Sequence, residues 1–184
     1  MIEDILFCQK CNLCKTQRPL LDEVKPCQVM WVGLSAKIVS TDNEPPLATT
    51  TNTGEIIHKI ECQCTQIVNY KTNLVKCVPT DEKRKLRYPN KDEIDLCITH
   101  LDNELQELQP KIVFLLGERV AKTVCSHLSI TFKKWKDFEY FATKYQNTFF
   151  VSVHHPSYIY VYKRRQIDEY VNSVARIIET LIND

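Results

Sequence analysis

Val29-Met30-Trp31-Val32 is a continuous apolar run closed by Gly33-Leu34-Ser35-Ala36. A strand with one wet face alternates apolar and polar residues. A run without alternation suits a strand buried on both faces, as in a parallel sheet covered by helices. Ile67–Tyr70, Ile112–Leu116 and Phe149–Val153 have the same character. Between and after them, apolar periodicity predicts helices near Gly54–Glu61, Asp92–Leu108, Glu118–His127 and Gln166–Leu181. The alternation predicts an α/β fold of three layers, a four-stranded parallel sheet flanked by helices. Only three glycines occur, Gly33, Gly54 and Gly117. Two close predicted strands and one opens a predicted helix, places where backbone turns sharply or approaches a ligand. In open α/β sheets ligands gather outside the carboxyl ends of the strands. The segments that follow the strands are Gly33–Ala36, Thr72-Asn73, Gly117-Glu118 and His154-His155-Pro156-Ser157-Tyr158.

With 184 residues, the chain has the length of one domain, expected to span 1–184 with an N-terminal cysteine loop. Folding at this size buries about 70% of the unfolded surface, enough for a core without disulfides. No run reaches the roughly 18 apolar residues of a membrane span. The opening MIEDILFCQKC has none of the basic, apolar and small-residue blocks of a secretory signal. The expectation is an intracellular, cytoplasmic, monomeric protein with no membrane attachment. Net charge is +1, so binding to nucleic acid would rest on local basic patches rather than on the whole molecule.

Nine cysteines in a reducing compartment point to metal or redox chemistry rather than disulfides. Cys8-x-x-Cys11 lies near the N-terminus, with Cys14 three residues on. Cys77 ends Lys71-Thr72-Asn73-Leu74-Val75-Lys76-Cys77, and Cys97 sits on the next predicted helix. One close pair and two separated thiolates can hold zinc or an iron–sulfur cluster, and spacing alone does not separate these. Cys27, Cys62, Cys64 and Cys125 are expected to be buried small apolar residues.

The order of these features resembles the family-4 uracil-DNA glycosylases and their relatives. It runs CxxC, strand-Val32-Gly33, Thr72-Asn73-Leu74-Val75-Lys76-Cys77, helical Cys97, Leu115-Leu116-Gly117 and His155-Pro156-Ser157-Tyr158. The resemblance implies a [4Fe–4S] cluster on Cys8, Cys11, Cys77 and Cys97, with zinc the lesser alternative. It makes Asn73 the reader of uracil, whose amide would accept from N3–H and donate to O4. It makes His155 the group that stabilises the departing uracil anion at O2. Gly33, Leu34 and Leu47 would complete the base pocket. Ser157, Tyr158, Lys163, Arg164 and Arg165 would meet DNA containing uracil, single- or double-stranded. Two further basic runs, Lys83–Arg87 and Lys133–Lys136, fall in predicted loops and are candidate phosphate contacts or plain solvated surface. A protein inhibitor or partner is also compatible with the family.

The first motif departs from the family. Family-4 enzymes usually show Gly-Glu-x-Pro-Gly after the first strand, whereas this chain reads Gly33-Leu34-Ser35-Ala36-Lys37. General-base help contributes about 10²–10⁴-fold, and Ser35 is a poor base left to position water. Asp42-Asn43-Glu44 is a candidate substitute, and the Thr49–Thr53 run could also hold water. Where relatives carry a base-stacking aromatic, Leu47 stands. Three readings follow: an active uracil-DNA glycosylase, a catalytically weak or inactive relative that binds DNA, uracil or a protein, and an unrelated nucleotide-binding α/β protein with a zinc or redox cluster. Neither GxGxxG nor GxxxxGK[ST] occurs to support the last.

Overall fold

The computed structural model describes residues 1–39, 41 and 44–184. Strands β1 (Val29–Ser35), β2 (Asn69–Val75), β3 (Ile112–Leu116), β4 (Ala142–Tyr145) and β5 (Thr148–Val153) form one sheet in the order β2-β1-β3-β5-β4. The β2, β1, β3 and β5 ladders are parallel, as expected. The sheet has five strands rather than four, because β4 adds an antiparallel edge to β5. Its two-residue turn, Gln146-Asn147, places Gln146 at φ 53°. Glycine or asparagine usually takes that first position, and with glutamine there Asn147 is the hairpin's one turn signal in the sequence.

The second strand also differs from expectation. It starts at Asn69 and runs on to Val75, so Thr72 and Asn73 lie inside it rather than after it. Both are buried and pair with Val32 and Gly33 of β1. Polar residue types hid a segment that the parallel ladder keeps extended.

Helices α1 (Asn52–Gln63), α4 (Pro156–Tyr162) and α5 (Ile167–Ile182) cover one face of the sheet, and α2 (Lys91–Leu108) and α3 (Glu118–His127) cover the other. Val29 and Trp31 of β1 point to the first face, where Trp31 stacks on Phe114 at 4.5 Å. Met30 and Val32 point to the second. This is why β1 shows no alternation: each of its sides meets a helix layer. Asn90 caps α2 in a reciprocal arrangement with Glu93, and Thr51 caps α1 by accepting from the Gly54 N–H. Among the described residues no helix is long and apolar enough to cross a membrane.

Candidate active site

A cleft of about 750 Å³ opens at the carboxyl ends of the strands. Gly33, Leu34, Ser35, Leu47, Asn73, His155, Ser157 and Tyr158 all line it, so the structure gathers every base-pocket and catalytic residue expected from sequence. Lys163, Arg164 and Arg165 do not line it; they occupy the turn between α4 and α5.

Asn73 is 3% exposed, and its Oδ1 has no hydrogen-bond partner among the described residues. A buried acceptor without a partner costs about 1–3 kcal/mol, a cost that a bound N–H would remove. Gly33 makes this placement possible: a Cβ there would lie 2.4 Å from Asn73 Oδ1 and 3.0 Å from Leu47 Cδ2. Leu47 itself has φ 53°. Its loop packs so closely on α1 that a Cβ on Gly54 would fall 2.0 Å from the Ala48 carbonyl oxygen.

His155 sits across the sheet, at the N-cap of α4. Its Nδ1 accepts from the Ser157 N–H at 3.2 Å and lies 2.8 Å from Ser157 Oγ. With Nδ1 accepting, a neutral ring carries its proton on Nε2. Burial, and then the nearby Lys37 cation, push His155 down to about 4, so the ring is neutral at physiological pH. Gly117, at φ 90°, lets the chain pass beside it; a Cβ there would stand 3.2 Å from His155 Cβ. Each of the three glycines thus makes room for a cleft residue or its loop. Ser157 was expected to meet phosphate, and its hydroxyl is engaged with the His155 ring. His154 is packed, with Nδ1 2.8 Å from Tyr140 Oη and the ring centroid 4.9 Å from that of Trp135.

Of the alternative acidic loop, Asp42 and Asn43 lie outside the described residues. Glu44 lines the cleft and accepts from Thr50 Oγ1 at 2.9 Å. From the threonine run, Thr53 lines the cleft at 2% exposure with Oγ1 unpartnered among the described residues.

Cys8, Cys11, Cys77 and Cys97, joined by Cys14, line a second, tight pocket of about 10 Å³. The Lys76 N–H donates to Cys97 Sγ at 3.3 Å, and His100 Nε2 is 3.1 Å from Cys8 Sγ. Burial, then the neighbouring Cys97, Cys11, Cys8 and Cys14, push the Cys77 thiol up. Among the described residues no group of three or more His, Cys, Asp or Glu is arranged to hold a metal ion. Cys27, Cys64 and Cys125 are buried as expected, but Cys62 is exposed, 3.6 Å from His58 Nε2 on the outer side of α1. Its polar sequence neighbours, Glu61 and Gln63, already marked a solvent-facing helical position.

Sequence reasoning passed over the buried ion pair between β2 and α2. Lys76 and Glu104 are 1% and 0% exposed. Tyr70 Oη and Thr72 Oγ1 each donate to Glu104 Oε1 at 2.9 Å, and Lys76 Nζ donates to Glu104 Oε2 and to Thr72 Oγ1. Buried charges persist only with such complete pairing. The available signal was a glutamate three residues after Leu101 on the core-facing stripe of α2.

Residues 54–179 match the family model of the uracil DNA glycosylase superfamily, and the chain belongs to that superfamily. It is similar to the type-4 uracil-DNA glycosylase of Sulfurisphaera tokodaii, 29% identical over 96 residues, which cover 52% of this chain and 35% of that protein. The match therefore spans about a third of that relative's length. In the structure of Pedobacter heparinus SMUG2 the same fold recurs, with TM-score 0.61 and 13% identity over 86% of this chain and 77% of that one.

Proposed function

We propose that this chain, acting as one domain, hydrolyses the N-glycosidic bond of deoxyuridine in DNA. The observation that carries the reading is the buried, unpartnered Oδ1 of Asn73, held over Gly33 in a cleft that also contains neutral His155. Uracil offers N3–H to that acceptor. Cytosine has an acceptor at N3, which would meet Oδ1 lone pair to lone pair.

As the C1′–N1 bond breaks, its electron pair leaves on uracil. His155 Nε2–H donates to O2, where the charge collects, and keeps its proton throughout. Water adds to C1′ to give the abasic sugar, and the proton it loses is made good at uracil N1. Ser35 and Thr53 are the cleft hydroxyls that can orient this water. Lys37 lines the cleft close enough to act on His155, and its cation would add to the support of the departing anion.

Cys8, Cys11, Cys77 and Cys97 suit a [4Fe–4S] cluster, whose thiolates stand apart around a cage. Zinc also accepts four thiolates, and the cluster is preferred on the likeness to a type-4 enzyme. Such a cluster would tie the N-terminal loop to β2 and α2 and take no part in bond cleavage.

A second reading, a relative that binds without turnover, rests on the missing carboxylate and amide in Gly33–Lys37. To decide, anaerobically purified protein is incubated with a uracil-containing oligonucleotide, and abasic sites are revealed by alkali. Product with the native protein and none with Asn73→Ala supports hydrolysis. No product from single or double strands, with the fold intact, overturns it in favour of the second reading.

A further inference from the structure

We infer that Tyr88, backed by Arg119, is a stacking platform for a nucleotide flanking the target base, and that it equips the cleft for single-stranded DNA. The inference rests on the proposed reading of the cleft as a DNA site.

Tyr88 is 69% exposed, an unusual state for a large aromatic, and it lines the same cleft as Asn73 and His155. The Arg119 guanidinium carbon lies 4.3 Å from its ring centroid. One face of the ring is thereby engaged, while most of the side chain stays open to solvent. The backbone beneath is firmly held. Arg87 Nη1 donates to the Tyr88 carbonyl at 2.9 Å and to Glu93 Oε2 at 2.8 Å. Glu93 Oε2 in turn accepts from the Asn90 N–H at 2.9 Å, at the cap of α2. An exposed ring on an immobile loop loses little freedom when a base stacks on it.

Position and charge favour the same occupant. Tyr88 follows β2, whereas exposed Tyr158 and Tyr162, which also line the cleft, follow β5. Aromatic surfaces from two separate segments, the loop after β2 and helix α4, thus line the cleft, a layout suited to successive unstacked bases. Lys37 and Arg119 line the cleft, and Arg165 lies just beyond Tyr162. None of these three forms an ion pair among the described residues. Glu118 at the rim is already matched by Lys122 and Lys134. Cations left open beside aromatics suit a polyanion with π-faces. In a duplex the flanking bases stack on each other and leave Tyr88 without a partner.

The test uses the full-length protein and a fluorescein-labelled thymidine 12-mer free of uracil, so that binding is read apart from excision. Tyr88→Ala should weaken single-strand affinity by about five- to a hundredfold. Tyr88→Phe should bind like the native protein, and affinity for the matching duplex should not change. Tyr88→Ala binding the single strand as well as the native protein overturns the inference and leaves the patch to a protein partner. So does Tyr88→Phe failing as badly as Tyr88→Ala, or a native protein that binds no single strand. A parallel excision assay keeps the two ideas apart. If the native protein excises uracil while Tyr88→Ala binds normally, only the platform falls. If the Tyr88 effect appears without any excision, only the proposed activity falls.

Discussion

Four residues of chain separate the two pockets, yet they are built on opposite terms. At Asn73, β2 borders a cleft of about 750 Å³ that leaves buried polar atoms unpartnered. At Cys77, just past the strand's end, the chain borders a thiol-lined space of about 10 Å³. Unmet hydrogen-bonding capacity in an open cleft suits a ligand that comes and goes. Close-set thiols, of which burial pushes Cys77 and Cys97 up, suit a permanent occupant whose positive charge turns them into thiolates. The Lys76–Glu104 pair stands between the two and anchors residues 72–76 to α2. The lesson is that one strand end can serve an exchangeable ligand and a fixed one, provided a satisfied buried network separates them.

The contrast can be broken most sharply at the cysteines. Cys77→Ser should abolish bound iron and the visible absorbance, whereas Cys62→Ser, on the exposed side of α1, should change neither; metal analysis decides. An iron content that survives Cys77→Ser would remove the second pocket's claim to a resident group.

In the cleft, Asn73→Ala should retain iron and lower excision by about 10²–10³-fold. Gly33→Ala should act through the same atom, since its Cβ would press on Asn73 Oδ1, with a loss of about 10²-fold. Initial rates with the iron content held equal test both. Loss of iron in either variant would show that the two pockets are not separable.

Acid should act next. Burial holds both His154 and His155 down to about 4, with Lys163 and Lys37 adding to the effect. In the unfolded chain these rings protonate near 6.5. Unfolded protein therefore binds more protons below that pH. The stabilisation is complete above about 6.5 and is lost as pH falls toward 4. Thermal melts should drop by roughly 5 °C or more across this window, and less in His155→Asn. Excision should show no His155 ionisation between neutral pH and the onset of unfolding.

The smallest effect is expected at Leu47. Leu47→Phe would add an aromatic face to the base pocket and should tighten binding of a uracil-containing strand by about fivefold or more. Fluorescence anisotropy reads this directly, and an unchanged or weaker affinity would mean that Leu47 does not face the base.

Much of the framework was legible because its causes are local. Unalternating runs at 29–32, 112–116 and 149–153 announced a sheet covered on both faces, and both faces are covered. What went unseen ran against residue type. Thr72 and Asn73 look like loop residues yet complete β2, and Gln146 takes a left-handed conformation at a turn position where glycine or asparagine is usual. Within the site, Asn73, His155 and the cysteine set were legible through the order of their motifs. Thr53 was named as part of a threonine run, whereas the roles of Glu104, Lys76 and Tyr88 were not legible, since each looks ordinary until its surroundings are known.

By itself, then, the sequence determined the layered α/β class, the ends of the strands as the working surface, and the short roster of residues gathered there. Only the tertiary structure decided which atoms lack partners and which are already engaged. The parallel register sets Gly33 beside Asn73, forty residues on, and the packing of α2 on β2 sets Glu104 against Lys76, Thr72 and Tyr70. The start of α3 carries Arg119 to Tyr88. Propensity and periodicity act over a few residues. Juxtapositions across thirty or more are products of sheet register and helix packing, which no local stretch of sequence encodes.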